Sequence, residues 1–409
     1  MIYPAQVWCQ SCSRLKDKSL SKPLTGLRVL ELARILAGPW VGQTLADLGA
    51  DVIKVESPGG DDTRQWGPPF LEGANGEHLS AAYFHACNRG KRSIVADFGK
   101  AEDLAMTKKL AAHADVVVEN FKVGGLKKYG LDAESLRKTN PKLIYASITG
   151  FGQTGPYAGR AGYDFMIQGM AGAMSVTGEP EGQPQKAGYA TADIFTGMYT
   201  SVAILAALRQ RDATGVGSTI DCALFEAQTA VLGNQAMNYL VSGHVPTRMG
   251  NAHPNIVPYA VFPASDGHII LATGNDRQFR DAMLAIGAPD IAADPAYANN
   301  AARILLRDEL SRKIANITIE LPRDQMLQRF EAAKVPAGPI NTIADVFEDP
   351  QAIARGIQVR LVAPHAKDGS ITTVRGPIVL DGVAQVANRP SPMLDGDRDN
   401  ILNDKNWGG

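Results

Sequence analysis

From Pro23 to Gly150, short apolar runs alternate with amphipathic ones. LRVLEL (Leu27 to Leu32) and ADVIKVES (Ala50 to Ser57) read as strands, and PWVGQTLADLGA between them begins a helix with Pro39 in its first turn. The pattern repeats in RSIVADF (Arg92 to Phe98), a helix over Ala101 to His113, DVVVEN (Asp115 to Asn120), a helix near Asp132 to Lys138 and KLIYASI (Lys142 to Ile148). Strands alternating with helices predict a parallel, Rossmann-like α/β sheet covered on both faces, with its ligand crevice at the carboxyl ends of the strands. The loops to inspect are therefore Ala33 to Pro39, Ser57 to Trp66, Asp97 to Lys100, Asn120 to Lys128 and Thr149 to Tyr163.

The longest helical pattern is AGYATADIFTGMYTSVAILAAL, in which Ile194, Met198, Val202, Leu205 and Leu208 recur at helical spacing. Asp193 lies at its mouth, where a carboxylate is a natural N-cap, worth roughly 1 kcal/mol. Beyond a strand-like run at Ser218 to Cys222 and a helix over Leu224 to Val241, the character changes. YAVFPASDGHIILATG reads as a hairpin turning at Ser265, Asp266 and Gly267, with helical patterns at Asp276 to Ile286, Ala302 to Ile317 and Pro322 to Ala333. The expected organisation is a leader at 1–22, a large α/β domain over 23–224 and a linker at 225–249. A small α+β domain at 250–345, a second linker at 346–369 and a return to the large domain over 370–409 complete it.

At 409 residues, 45% apolar and 20% charged, the chain is long enough for two cores and far from the composition of disorder. A net charge of −1 supplies no general field for nucleic acid or anionic membrane, so an anionic ligand must be met by local basic groups. The four cysteines are too few and scattered for a disulfide framework; Cys9 and Cys12 form a C-x-x-C with no second ligand pair, and no metal site is expected. No uninterrupted 18-residue apolar run or secretory leader is evident, which predicts a cytoplasmic protein with no membrane partner.

Several chemistries are disfavoured by motif. The seven histidines fall in no H-E-x-x-H or H-x-E pattern, and neither a G-x-S-x-G elbow nor a Walker A loop occurs. GFGQTG (Gly150 to Gly155) has dinucleotide spacing and follows a strand, but Pro156, Gly159, Arg160 and Gly162 come next where a helix should hold the pyrophosphate. Carboxylates remain, and a carboxylate can serve as a covalent nucleophile.

Seven segments in order then carry a family resemblance: PLTGLRVLELARILAGPW, LADLGADVIKVESPGGDDTRQWGPPF, NRGKRSI, DVVVENFKVGGLKKYGL, LIYASITGFGQTGPYAGRAGYDFMIQGMAG, TADIFTGMYTSVAILAAL and VPAGPINT. From Leu24 to about Pro392 the chain resembles the family III CoA-transferases. The resemblance implies that fold and an interlocked homodimer, with acyl-CoA and carboxylic acid as substrates and no cofactor beyond coenzyme A itself. It makes Asp193 the nucleophile, about thirty positions beyond the Tyr163-Asp164 pair, with its cap geometry retained. It places CoA along Leu36, Ala37, Ala96, Lys100, Asn120, Phe121, Lys122, Lys128, Arg160 and Tyr163.

The segment GDDTRQWGPPF most resembles transferases acting on succinyl-CoA and dicarboxylates such as glutarate, which makes Arg34 and Arg64 candidates for holding a distal carboxylate. Leu36 stands where a formyl-CoA transferase has Gln. His253, in GNAHPN, aligns with the family's mobile glycine-rich segment, although the stretch here is not glycine-rich. The rival within the fold is an α-methylacyl-CoA racemase, whose catalytic His is replaced here by Tyr163, a poor base at neutral pH. Outside enzymes, a CoA-binding module without chemistry is the alternative.

Overall fold

A computed structural model of the chain describes residues 22–409, so the leader and its Cys9–Cys12 pair lie outside the described residues. The chain divides into two units. The first takes the described residues up to Ile167, then Ala190–Gln228 and Gly356–Gly409; the second takes Gln168–Tyr189 and Thr229–Arg355.

The first unit is built on six strands, β1 (Arg28–Glu31), β2 (Asp51–Glu56), β3 (Lys91–Val95), β4 (Val116–Glu119), β5 (Ile144–Thr149) and β6 (Thr219–Ala223). They pair in parallel in the order β3-β2-β1-β4-β5-β6, the doubly wound arrangement whose direction of progression reverses between β1 and β4. The central strands are buried on both faces, as in the 0% exposed Val29, Leu30, Val116 and Val117, which is why they read as near-continuous apolar runs. Helices α1 (Ala37–Asp47), α2 (Ala101–His113), α3 (Ala133–Thr139), α4 (Asp164–Met170) and α5 (Thr191–Thr214) include the crossovers of this sheet. The C-terminal return is part of the same core: Ile401 and Trp407 pack with Leu30, Ile53, Val117 and Tyr145.

Helix α5 departs from one expectation. Free of charge from Ile194 to Leu208, it is long and apolar enough to cross a membrane by length and composition, yet half of that window is buried inside the protein. The burial is partly against α1. A Cβ on Gly197 would lie 2.8 Å from the carbonyl oxygen of Ala37 and 3.1 Å from Trp40 Cβ, so glycine permits the two helices to touch.

In the second unit an antiparallel three-stranded sheet, with the expected hairpin of Tyr259–Ala264 and Gly267–Ala272 plus Ala337–Pro339, packs with helices around Phe262, Phe279, Leu310 and Phe330. The segments read as linkers are structured: 234–242, 343–348 and 350–354 are helical and belong to this unit. So does the excursion at 168–189. Arg248 donates to the carbonyls of Glu179, Pro180 and Gly182, and the Gln168 amide accepts from Ala187 N and reaches the Tyr189 carbonyl, so the excursion is closed by side chains distant in sequence.

Candidate active site

The reversal between β1 and β4 opens a crevice of about 540 Å³, walled entirely by the first unit. Its two lips are the loops that leave these strands, and they are tied to each other: Arg34 N donates to Asn120 Oδ1 (3.0 Å) and Asn120 Nδ2 donates to Arg34 O (2.7 Å). Glu119 fixes the next turn by accepting from Phe121 N at 2.8 Å. Asp193, Arg34, Leu36, Ala37, Asn120, Phe121, Lys122, Arg160 and Tyr163 all line this crevice, so most of the residues singled out in the sequence converge on one place.

Asp193 is not the cap of its helix. Thr191 begins α5, Ala190 precedes it with no capping side chain, and Asp193 is the third helical residue. The orphan amides are met from 28 residues away, by Asp164 Oδ1, which accepts from Ala192 N (2.8 Å) and Asp193 N (3.3 Å). The acid of the Tyr163-Asp164 pair therefore performs the capping expected of Asp193 and leaves the Asp193 carboxylate to face the crevice. Burial, followed by the nearby negative charge of Asp164, raises the Asp193 carboxyl to about 7. The Asp193 carboxyl is thus more basic than an ordinary carboxylate and is about half ionised near neutral pH.

Glycines deliver Asp164 to this position, and they also explain the misleading GFGQTG. A Cβ on Gly150 would stand 2.6 Å from Gly162 Cα, so the ends of the 150–162 loop meet backbone to backbone directly before Tyr163 and Asp164. The spacing serves a fold-back of the loop, and no helix starts at its last glycine.

Not every residue singled out reaches the crevice. Arg64 is 5% exposed; its guanidinium forks onto Glu56 (2.8 and 2.7 Å), donates to Ser80 Oγ and lies 3.7 Å over the Phe84 ring, so it has no free face for a substrate carboxylate. Ala96 is buried in the core cluster, while Lys100 and Lys128 are exposed outside the crevice lining. An aromatic cluster nonetheless links these positions to the rim: Phe98 stacks near Phe121 (6.3 Å) and meets Tyr129 edge-on (5.4 Å), and Lys128 Nζ lies 4.7 Å over Tyr129. His253 belongs to the second unit, where its ring accepts from Asn255 N and packs against Tyr259. Arg34 has its guanidinium in the open, 2.6 Å from the less exposed Asp62, a pairing of small net worth that a ligand can displace.

Residue-by-residue reading passed over two features. Tyr83, with its phenol raised to about 12 by burial and then by the charges of Asp193, Cys87 and Asp164, is electrostatically coupled to Asp193. Beneath the crevice, Lys54 and Lys91 are fully buried and bridged by Glu31 (Nζ–Oε1 3.0 Å for both), with Lys54 also 2.9 Å from Asp61. Burial opposes the Lys54 charge, but Glu31, Asp61 and Glu56 more than offset it, so its ammonium is held above its ordinary range. The signal was available: a Lys or Glu inside a strand covered on both faces requires a buried partner.

A parallel doubly wound sheet with a buried carboxylate facing the crevice at its switch point is the architecture of ligand-binding α/β proteins, and the comparisons specify which. The chain belongs to CoA-transferase family III, whose family model matches residues 24–398. It is 58% identical over 374 residues to the succinate–glutarate CoA-transferase of Agrobacterium fabrum, covering 91% of this chain and 93% of that protein. It is 40% identical over 380 residues to the succinyl-CoA:glutarate CoA-transferase of Mus musculus, covering 92% of this chain and 85% of that one. Among solved structures, a CaiB/BaiF family protein from Brucella suis superposes with a TM-score of 0.83 at 56% identity, covering 93% of this chain and 99% of that chain.

Proposed function

We propose that this enzyme moves CoA from succinyl-CoA to glutarate, with Asp193 as the covalent carrier. The observation that carries the reading is a carboxylate of raised basicity, freed from capping by Asp164, at the switch-point crevice of a family III CoA-transferase. The two glutarate-acting relatives supply the substrate pair.

In this scheme ionised Asp193 attacks the succinyl thioester carbonyl, giving a mixed anhydride and CoA thiolate. The thiolate attacks the aspartyl carbonyl, releasing succinate and leaving an aspartyl-CoA thioester. Glutarate attacks that thioester and expels the thiolate, which takes the glutaryl group and returns Asp193 to carboxylate. No proton is gained or lost overall, and coenzyme A, arriving as substrate, is the only cofactor called for. Holding the thiolate between steps makes its second attack effectively intramolecular, worth up to roughly 7–11 kcal/mol in good geometry.

Phe121, Lys122 and Arg160 are the crevice residues assigned to CoA, with Ala96, Lys100 and Lys128 in an outer zone along the aromatic rim. Arg34 is assigned to the distal carboxylate. The enzyme is further proposed to work as a homodimer in the cytoplasm. Phe195, Met198, Val202 and Leu205 form an exposed apolar stripe along α5 that a second copy would cover, and the described cysteines, Cys87 and Cys222, are free thiols as in a reducing compartment.

The test is incubation with succinyl-CoA and a panel of acids, following new acyl-CoA species and an Asp193 adduct by mass spectrometry. Glutaryl-CoA and a hydroxylamine-sensitive adduct on Asp193 are expected. Absence of exchange with every acid would overturn the reading.

A further inference from the structure

The wall of the crevice that faces α5 is a segment with almost none of its backbone left to itself. Ala33 O accepts from Lys54 Nζ (2.8 Å), Arg34 is clasped by Asn120, and Pro39 O accepts from Lys91 Nζ (2.8 Å). Between these points Ile35 adopts φ 73°, a left-handed conformation that a β-branched residue rarely takes. Its amide is held by both carboxylate oxygens of Asp61 at 3.2 Å, and its carbonyl faces Cys87 Sγ at 3.6 Å. Two residues beyond the kink, the Ala37 carbonyl abuts Gly197, one turn along α5 from Asp193.

Asp61 therefore has two attachments. Its charge balances Lys54, which would otherwise share the single carboxylate of Glu31 with Lys91. Its position, fixed by Thr63 N (3.0 Å) and Thr63 Oγ1 (2.8 Å), pins the Ile35 amide. Charge balance needs only a carboxylate nearby; the pinned kink needs that carboxylate at one place.

We propose that Asp61 is a positioning residue for CoA transfer, holding Ile35 in its left-handed kink so that residues 33–37 stand in register with the face of α5 that carries Asp193. This rests on the reading of Asp193 as the carrier. The prediction turns on the side chain at 35. Glycine adopts a positive φ without a Cβ penalty, so an unpinned kink survives with glycine and collapses with isoleucine.

The experiment is a double-mutant cycle of Asp61→Glu, which keeps the charge but moves the carboxylate, and Asp61→Asn, each combined with Ile35→Gly. With Ile35 in place, both Asp61 variants are expected to lower kcat for succinyl-CoA to glutarate transfer by about 10- to 100-fold, with KM for succinyl-CoA changed less than about threefold. In the Ile35→Gly background Asp61→Glu is expected to lower kcat by less than about threefold, whereas Asp61→Asn, which also removes the counter-charge of Lys54, is expected to recover only in part. Equal losses in both backgrounds, a loss confined to KM, or insolubility of every Asp61 variant in both backgrounds would overturn the proposal. Hydrogen exchange of the peptide spanning 33–37 gives a readout independent of activity: it is expected to quicken in Asp61→Glu, and unchanged exchange would overturn the proposal by itself. Were the carrier reading the part at fault, the wild type would show no transfer and no Asp193 adduct while the exchange result still stood.

Discussion

The floor and the rim of the crevice are made in opposite ways. The floor, the strands and buried charges beneath the wall of residues 33–39, is held by groups withdrawn from water: Lys54, Lys91, Glu31 and Asp61 are at most 2% exposed and their charges are matched. The rim carries its cations in the open, with Lys122, Lys128 and Arg160 exposed, and Arg160 resting 4.6 Å over Tyr157. Buried pairs are rigid and intolerant of losing one partner, whereas exposed cations are screened and individually weak. The floor is suited to fixing where the reacting atoms sit, and the rim to gathering a large anionic substrate without dictating that geometry. Mutations should accordingly divide, the inner ones acting on kcat and the outer ones on KM.

The sharpest way to break this division is at its centre. Asp193→Ala is expected to lower kcat by at least about 10³-fold, with the adduct lost, as for removal of other covalent nucleophiles; substantial turnover with a labelled adduct elsewhere would relocate the chemistry. Arg34 stands on the boundary between floor and rim. Arg34→Ala is expected to reduce kcat/KM for glutarate relative to a monocarboxylate of similar length by about 10- to 100-fold, the worth of a charge-assisted hydrogen bond, and Arg64→Ala is expected to act on stability instead. Competition between the two acids for one pool of succinyl-CoA measures the ratio directly. On the rim, Lys122→Ala and Arg160→Ala are each expected to raise KM for succinyl-CoA by about two- to fivefold, with kcat unchanged and the difference fading at high salt.

The smallest effect is a displacement along the pH axis. With its carboxyl raised to about 7, Asp193 is protonated and unable to attack as pH falls below that value, so kcat/KM should drop about tenfold per unit on the acid side. A carboxyl that binds its proton more tightly folded than unfolded weakens the fold as pH climbs from its ordinary range through about 7, because ionisation is then resisted by the native site. Asp164→Asn keeps an oxygen to accept from Ala192 and Asp193 but removes the charge. It is expected to move the acid limb to lower pH and to ease that loss of stability, both readable from pH–rate and thermal unfolding profiles. Asp164→Ala, which also removes the cap, is expected to cost about 1 kcal/mol of stability in addition.

What could be read in advance follows from the range of the forces involved. Leu27–Leu32 and Ala50–Ser57 were recognisable as strands because burial on two faces writes itself into consecutive residues, and of the five loops that the carboxyl-end rule pointed to, all but Asp97 to Lys100 line the crevice. The cap of α5 was not, because its acceptor comes from Asp164 and nothing adjacent to Thr191 signals it. Arg64 looked available for a substrate because it sits in a crevice loop, and only the fold brings Glu56 and Phe84 to claim it. The same holds for 168–189, whose membership of the second unit depends on Arg248.

The burial of Trp407, 1% exposed in the same core as Leu30, sets a schedule for the molecule's manufacture. At about 5–20 residues per second, a ribosome takes roughly 20–75 s to travel from one of these residues to the other. From residue 119 onward β1, β2 and β4 are made but the Trp407 side chain that packs with them is not, so the nascent chain carries an open core for most of its synthesis. A ribosome stalled between codons 193 and 407 would release a product with Asp193 present and its sheet unsealed, a form for quality control to recognise.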